Sequence, residues 1–194
     1  MFTEASFIEF LESNTVEVLC KNHVFEGEPW LFGEYSTHKP ECSFSEFREI
    51  VADGIQAEPG DVYVTGSSVF GRSTNPQTDR FNKPFRDESD IDVVIISSAM
   101  FASTWRQLLK AYYGGYPEIL KFHGKFVFRG FVNEPDRDFK SSVLNDLIKR
   151  TNDMKRRLQI QAGIKQDIKY RIYRSLEDAR KYQAYAFEKC RRKL

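Results

Sequence analysis

One short apolar run constrains the fold more than any other part of the chain. Residues 91–97 read Ile-Asp-Val-Val-Ile-Ile-Ser, and a β-branched block of this length is typical of a strand buried on both faces. Such a strand needs partner strands and covering helices. A second β-branched and aromatic run, residues 61–65, ends at Gly66 and is the first candidate partner. The two runs therefore predict a sheet.

The helices are predicted from capping residues and from apolar side chains at helical spacing. A capping-box pattern at 43–46 predicts a helix over 44–56, and Thr3 or Ser6 is suited to cap a short first helix. Further helices are predicted over 102–113, 139–161 and 175–193.

Two other parts of the chain complete the predicted fold. Residues 125–132, which follow Gly124, predict a third strand. Residues 22–42, which contain Pro and Gly, and residues 72–88, which are polar and contain two Pro, are predicted to be irregular. This order of elements predicts an α+β fold, in which a small mixed sheet is backed by helices and followed by a helical C-terminal extension.

Length and composition set broad limits. The 194 residues fall within the usual size of one domain, so we expect a single domain over 1–194. The net charge of +1 gives no general attraction to nucleic acid or membranes. The odd number of cysteines, 3, indicates no disulfide framework, and no apolar run is long enough to span a membrane. We therefore expect a cytoplasmic protein with no membrane partner.

Two short motifs carry the candidate chemistry. The first strand ends in Gly66-Ser67, where a residue without a side chain lets backbone amides approach a phosphate and a hydroxyl can donate to it. Asp90 and Asp92 lie two residues apart at the start of the buried strand, so their carboxylates project to the same side. Paired carboxylates are suited to Mg²⁺, with Mn²⁺ as the alternative ion.

This pair of motifs resembles the glycine-serine loop and the Asp-x-Asp strand of the DNA polymerase β-like nucleotidyltransferases, in the short form of small bacterial members. The resemblance covers about residues 43–132 as the core, with 1–42 and 139–194 as mainly helical or irregular extensions. It implies a nucleotidyltransferase-type sheet with Asp90 and Asp92 at the mouth of a nucleotide cleft.

The resemblance also implies a reaction. A nucleoside monophosphate would pass from a nucleoside triphosphate to an acceptor hydroxyl, on a protein, a tRNA or a small molecule, with release of pyrophosphate. We expect nucleotide contacts from the residues around the first turn and from two arginines: Gly66, Ser67, Ser68, Arg72 and Arg129. A basic side chain from the last third of the chain is expected to complete the phosphate site.

The chain departs from the family pattern in two places. The segment between Gly71 and Ser89 is longer than in minimal members, which fits a substrate-contacting insertion or lid. Many members carry a third acid on a neighbouring strand, and 125–132 contains none, although Glu134 and Asp136 follow it. The missing acid leaves open a nucleotide-binding pseudoenzyme that acts as a regulatory or interaction module. The alternative interpretation of the two motifs is structural: Gly66-Ser67 is an ordinary tight turn, and Asp90 and Asp92 lie in an ordinary turn that enters a strand.

Four residues near the N-terminus have spacing that suits a structural Zn²⁺ site: Cys20, His23, His38 and Cys42. Scattered buried cysteines and surface histidines are the alternative.

The aromatic and basic residues of the second half also allow two interpretations. Phe126, Phe128 and Phe131 fit core packing on a strand better than a platform for stacking bases. Basic residues over 155–174 are suited to grip a triphosphate or an RNA, but a solvated helix face is the simpler interpretation. An RNA-binding module is accordingly the third functional hypothesis.

Overall fold

A computed structural model describes residues 2–77, 79–133 and 141–194. Within these residues the chain has the predicted α+β fold, a four-stranded mixed sheet with helices against it. The helices are α1 (Glu4–Ser13), α2 (Val16–Val18), α3 (Phe44–Ile55), α4 (Ser67–Phe70), α5 (Ser98–Tyr113), α6 (Glu118–Phe128), α7 (Ser142–Ala162) and α8 (Leu176–Arg191).

The sheet has the strand order β1-β2-β4-β3. Its strands are β1 (Val62–Thr65), β2 (Ile91–Ile96), β3 (Phe131–Asn133) and β4 (Ile168–Tyr173). β2 lies between β1, which is antiparallel to it, and β4, which is parallel to it. Among the described residues, β3 pairs only with β4, in the antiparallel direction. The predicted buried strand is therefore a central strand of the sheet.

Alternate side chains of β2 enter two different hydrophobic clusters. Ile91, Val93 and Ile95 belong to the main core, which α3 and α7 help to build. Val94 points to the opposite face and packs in a smaller cluster with Tyr173 of β4 and Ala179 of α8. Both faces of the strand are covered, as its continuous apolar sequence predicts.

Hydroxyl side chains begin most of the long helices. Thr3 and Ser43 form capping boxes at α1 and α3, so the predicted helix over 44–56 is confirmed with its cap. Ser97 caps α5, which starts at Ser98 and therefore four residues before the predicted start at 102. The two predicted C-terminal helices are confirmed as α7 and α8, capped by Ser141 and Ser175.

The predicted strand over 125–132 is wrong except at its last two residues, which begin β3. Its first half, 125–128, belongs to α6, because Ile119 and His123 are buried four residues apart on one helix face and Phe126 continues that face against Phe131. The helix ends before Gly130, whose φ of 80° suits a residue without a side chain, and β3 keeps only three residues. Phe128 is 92% exposed, so its expected core packing is also wrong.

β4 lies in a segment for which the sequence predicted no strand. Ile168, Tyr170 and Ile172 are buried in the main core, while Lys169 and Arg171 alternate with them on the other face. A solvated helix face is therefore wrong for these two cations, which belong to a central strand.

The two segments predicted to be irregular differ in outcome. Residues 22–42 contain the end of a π-helical turn, Leu19–Phe25, and a 3-10 turn, Trp30–Phe32, with irregular chain between and after them. Residues 72–88, apart from Thr78, form no helix or ladder and contain one isolated bridge between Arg72 and Pro84. Among the described residues, no helix has the length and apolarity needed to cross a membrane.

Candidate functional site

The turn after β1 and the start of β2 lie side by side. Because β1 and β2 are antiparallel, Thr65 at the end of one strand pairs with Asp92 near the start of the other. Gly66 follows at once, and a Cβ atom on it would lie 3.2 Å from Oδ2 of Asp92. The two motifs, which are separated by more than twenty residues in sequence, therefore form one local structure.

The backbone at Gly66 has an unusual conformation. Its φ of 77° and ψ of −144° lie in a region that only glycine adopts without strain. Ser67 then begins the short helix α4, and the Ser68 hydroxyl, which is fully buried, donates to the carbonyl of Thr65 at 3.0 Å. Gly66 and Ser67 thus face the site, while Ser68 stabilises the turn from behind.

A cavity of about 460 Å³ opens at this point. Its walls come from the Gly66 turn, the start of β2, the 73–89 loop, β4 and α8. Both signs of charge line it: the acids are Asp79, Glu88, Asp90 and Asp92, and the cations are Arg80, Lys83, Arg86 and Arg171. Such a mixed lining is suited to a polyanion that brings a cation with it.

The 73–89 loop is fixed by Arg72, which does not line the cavity. The Arg72 guanidinium donates to the carbonyl of Phe2 at 2.8 Å and to the Asn82 side-chain oxygen at 3.0 Å. It also donates to the Asn82 carbonyl, and the Asn82 amide group donates to the Glu4 carbonyl. Arg72 therefore ties the loop to the N-terminal segment. Its expected contact with a nucleotide stays a prediction.

Arg171 of β4 pairs with Asp92 inside the cavity. Its guanidinium donates to the carboxylate at 2.9 Å, and about a quarter of each side chain is exposed, 26% for Arg171 and 24% for Asp92. Burial raises the pKa of Asp92, and the nearby Asp90 adds to this, whereas the Arg171 charge opposes it. For Arg171, burial lowers the pKa, but the Asp92 carboxylate together with Tyr173 and Tyr182 more than offsets burial, so the pKa is raised.

Lys169 forms the corresponding ion pair with Asp90, at a more exposed position. Each carboxylate of the Asp-x-Asp motif therefore has a cation from β4 beside it. Sequence reasoning did not place these cations, although the alternation of Ile168, Tyr170 and Ile172 with charged residues is the pattern of a half-buried strand.

β4, the parallel neighbour of β2, carries cations at the place where many family members carry a third acid. Since β4 separates β3 from β2, the segment 125–132 is not adjacent to the Asp-x-Asp strand. Glu134 and Asp136, the expected substitutes, lie outside the described residues. Arg129 directly follows α6 and lies over the ring of Tyr182, 5.8 Å from its centroid, beside a different cavity.

The four residues of the predicted zinc site belong to two separate environments. Cys20 is buried with α1, and His23 packs against Phe70 in the same region. Cys42 is buried in the main core, and His38 lies 3.5 Å from Asp87. Over residues 2–77, 79–133 and 141–194, no three His, Cys, Asp or Glu side chains form a metal-binding group. The zinc site stays a prediction.

Asp90 and Asp92 fit a magnesium ion by the chemistry of their donors. Mg²⁺ is usually held by one or two carboxylates, while substrate phosphates and waters supply its remaining oxygens. These two carboxylates lie at a cavity that is open to a ligand and already contains cations for phosphate.

Comparisons with protein-family models, with curated proteins and with solved structures found no match to this chain.

Proposed function

We propose that the cavity binds a nucleoside triphosphate with Mg²⁺ or Mn²⁺, and that the protein transfers the nucleoside monophosphate to an acceptor hydroxyl. The observation that carries this proposal is the contact between the Gly66 turn and Asp92. A side chain at Gly66 would lie 3.2 Å from the Asp92 carboxylate, so bare backbone and metal-binding oxygens face the same space. The cavity volume of about 460 Å³ is within the usual range for small-molecule sites.

The cations of the cavity supply the charge that a triphosphate needs. Arg80, Lys83 and Arg86 extend from the long loop, and Arg171 faces them from β4. Guanidinium groups bind phosphate oxygens through paired hydrogen bonds, which a flexible polyphosphate can accept. We assign Arg171 as the basic side chain that completes the phosphate site.

Asp90 and Asp92 are the residues that would hold the divalent ion. When bound, the ion neutralises phosphate charge and polarises the transferring phosphoryl group. To accept it, both carboxylates exchange their present partners, Lys169 and Arg171, which are then free to donate to phosphate oxygens. Lys169 and Arg171 thus neutralise the charge of the two acids before the ligand binds and the charge of the phosphates afterwards.

The proposed step is an in-line displacement at the α-phosphorus. The acceptor oxygen forms a bond to phosphorus, and the bond from phosphorus to the bridging oxygen of the β-phosphate breaks. Pyrophosphate leaves with that electron pair, and the acceptor proton passes to solvent. Gly66 and Ser67 bind the leaving phosphates, and the Arg171 charge stabilises the negative charge that develops there.

Incubation with α-labelled nucleoside triphosphates and Mg²⁺ tests transfer directly. We expect labelled acceptor and pyrophosphate with at least one of the four common nucleotides. The double variant Asp90→Asn/Asp92→Asn should give neither product. Asp153→Asn, which changes an exposed acid of α7, is the matched control and should retain activity. Equal product from wild type and the double variant would contradict the proposal.

A second candidate function is nucleotide binding without turnover, as a regulatory or interaction module. It is favoured by the ion pairs that Asp90 and Asp92 already form with Lys169 and Arg171 of β4. In this case a triphosphate raises the melting temperature by ligand linkage while no pyrophosphate appears. Turnover that depends on Mg²⁺ would exclude this candidate.

A further inference from the structure

A second cavity, of about 730 Å³, lies between the C-terminal half of α6 and the first turns of α8. We name the residues around it the aromatic–basic surface: Lys125, Phe128, Arg129, Tyr182 and Tyr185. It adjoins the Asp90 and Asp92 cavity at one shared residue, and the proposed transfer step uses none of its cations.

Two aromatic rings of this surface, those of Phe128 and Tyr185, are exposed. Phe128 is 92% exposed and Tyr185 is 49% exposed, and Leu120 beside them is also exposed. Single exposed apolar residues are common, whereas a group of large ones around one concave surface indicates a binding site.

Cations surround the same rings. The Arg129 guanidinium lies 5.8 Å from the centroid of the Tyr182 ring, and the Lys189 ammonium lies 4.8 Å from that of Tyr185. A hydrogen bond from Lys189, together with the charges of Lys189, Arg129 and Arg192, lowers the pKa of Tyr185. The environment of this tyrosine is therefore positive.

The acids nearby do not cancel that charge. Asp178 also lines the cavity, but its carboxylate accepts from Arg174 at 2.9 Å and from the Ser175 hydroxyl at 2.8 Å. Glu177 is paired with Lys181 at 2.6 Å. The remaining cations of the surface are thus suited to an anionic ligand.

Tyr182 connects the two cavities, because its side chain lines both of them. A chain-like ligand that lies on the aromatic–basic surface can therefore extend past Tyr182 to the Asp90 and Asp92 cavity.

We propose that the aromatic–basic surface binds single-stranded nucleic acid and that a hydroxyl of this strand is the acceptor of the transfer. Unpaired bases of any sequence can stack on exposed aromatic rings. The cations beside the rings contact the phosphates that link those bases. An acidic peptide would use the cations but leave Phe128 and Tyr185 without partners, and a duplex would hide the faces of its bases. The acceptor role rests on the proposed transferase function, whereas binding of the strand does not.

Fluorescence anisotropy with labelled single-stranded RNA and DNA of roughly 16 nucleotides tests this surface in the absence of nucleotide. The variants are Phe128→Ser/Tyr185→Ser, which removes stacking, and Lys125→Gln/Arg129→Gln, which removes charge. Tyr113→Ser and Lys110→Gln are the matched controls, because Tyr113 is 78% exposed on α5 and Lys110 is exposed on the same helix. Circular dichroism checks that every variant is folded.

We expect each double variant to weaken binding about tenfold or more, and the controls to bind as wild type does. A roughly fourfold rise in salt concentration should weaken wild-type binding about tenfold, since phosphate contacts release counterions. Asp90→Asn/Asp92→Asn should still bind the strand. Its loss of transfer with retained binding separates the two proposals.

Three results would overturn this inference. The first is equal affinity of wild type and both surface variants for the strand. The second is an equal affinity for duplex and single strands. The third is that wild type binds anionic phospholipid vesicles but not the oligonucleotide, which would assign the surface to a membrane instead.

Discussion

The guanidinium of Arg171 donates to the carboxylate of Asp92 at 2.9 Å across neighbouring parallel strands. A cation of the protein and the divalent ion proposed for the site therefore compete for one carboxylate. A partly buried pair of this kind is costly to break on one side only, because the remaining charge loses its partner. We therefore expect the pair to couple the stability of the sheet to binding of the proposed ion.

Replacement of Arg171 with Met should expose this coupling. The change keeps an unbranched side chain but leaves the Asp92 charge partly buried and unpaired, so we expect a loss of about 1 to 3 kcal/mol in the free energy of unfolding. Added Mg²⁺ should restore more stability to the variant than to wild type, because the unpaired carboxylate is available to it. Urea unfolding with and without Mg²⁺ measures both effects. A variant as stable as wild type would contradict the assigned pair.

Gly66→Ala should reduce both stability and nucleotide affinity. A side chain there must adopt a φ of 77° and approaches Asp92, so we expect a cost of about 1 to 3 kcal/mol and at least about tenfold weaker triphosphate binding. Gly115→Ala is the control, since Gly115 also has positive φ, at 106°, but an added Cβ meets nothing within 4 Å. Calorimetric titration of both variants measures the affinities. Equal affinity of the two variants would argue against the Gly66 turn as a phosphate site.

Alkaline pH should weaken the fold through two buried thiols. Burial raises the pKa of Cys20 from 9.0 to about 12 and that of Cys190 from 9.0 to about 11. Since the folded pKa is the higher one, the folded state binds more protons, and stability is lost as the pH rises above 9.0 towards these values. Cys20→Ala/Cys190→Ala should show a flatter decline in urea unfolding over that range. The same slope in both proteins would contradict the assignment.

Arg72→Met should loosen the 73–89 loop, which lines the Asp90 and Asp92 cavity. The variant loses hydrogen bonds to the carbonyls of Phe2 and Asn82, for which we expect a cost of about 1 to 3 kcal/mol and faster proteolysis within 73–89. Arg106→Met is the control, because Arg106 is exposed and donates to the carbonyl of Ala102 in its own helix. Equal cleavage rates in the two variants would show that Arg72 does not anchor the loop.

The sequence predicted those elements whose local signals agreed with their packing. Ser43 and Glu46 gave both ends of a capping box, and the continuous apolar run gave β2. The prediction of a strand over 125–130 was wrong because the bulky residues of that window fit both the strand period and the helix period. The burial of Ile119 and His123, which precede the window, indicates the helix.

The candidate site was only partly accessible to sequence reasoning. The motif residues Gly66, Asp90 and Asp92 could be found because their spacing and their positions at strand ends are local features. Lys169 and Arg171 could not be placed, because their role depends on β4 pairing with β2 across more than seventy residues of chain.

Calorimetric titration of nonhydrolysable analogues of the four common nucleoside triphosphates, with and without Mg²⁺, tests the central claim most directly. We predict that at least one analogue binds wild type at a single site, that the affinity falls at least about tenfold without Mg²⁺, and that Asp90→Asn/Asp92→Asn abolishes this dependence on Mg²⁺. Asp153→Asn should behave as wild type. Absence of binding by all four analogues, or equal Mg²⁺-dependent binding by wild type and the double variant, would contradict the account.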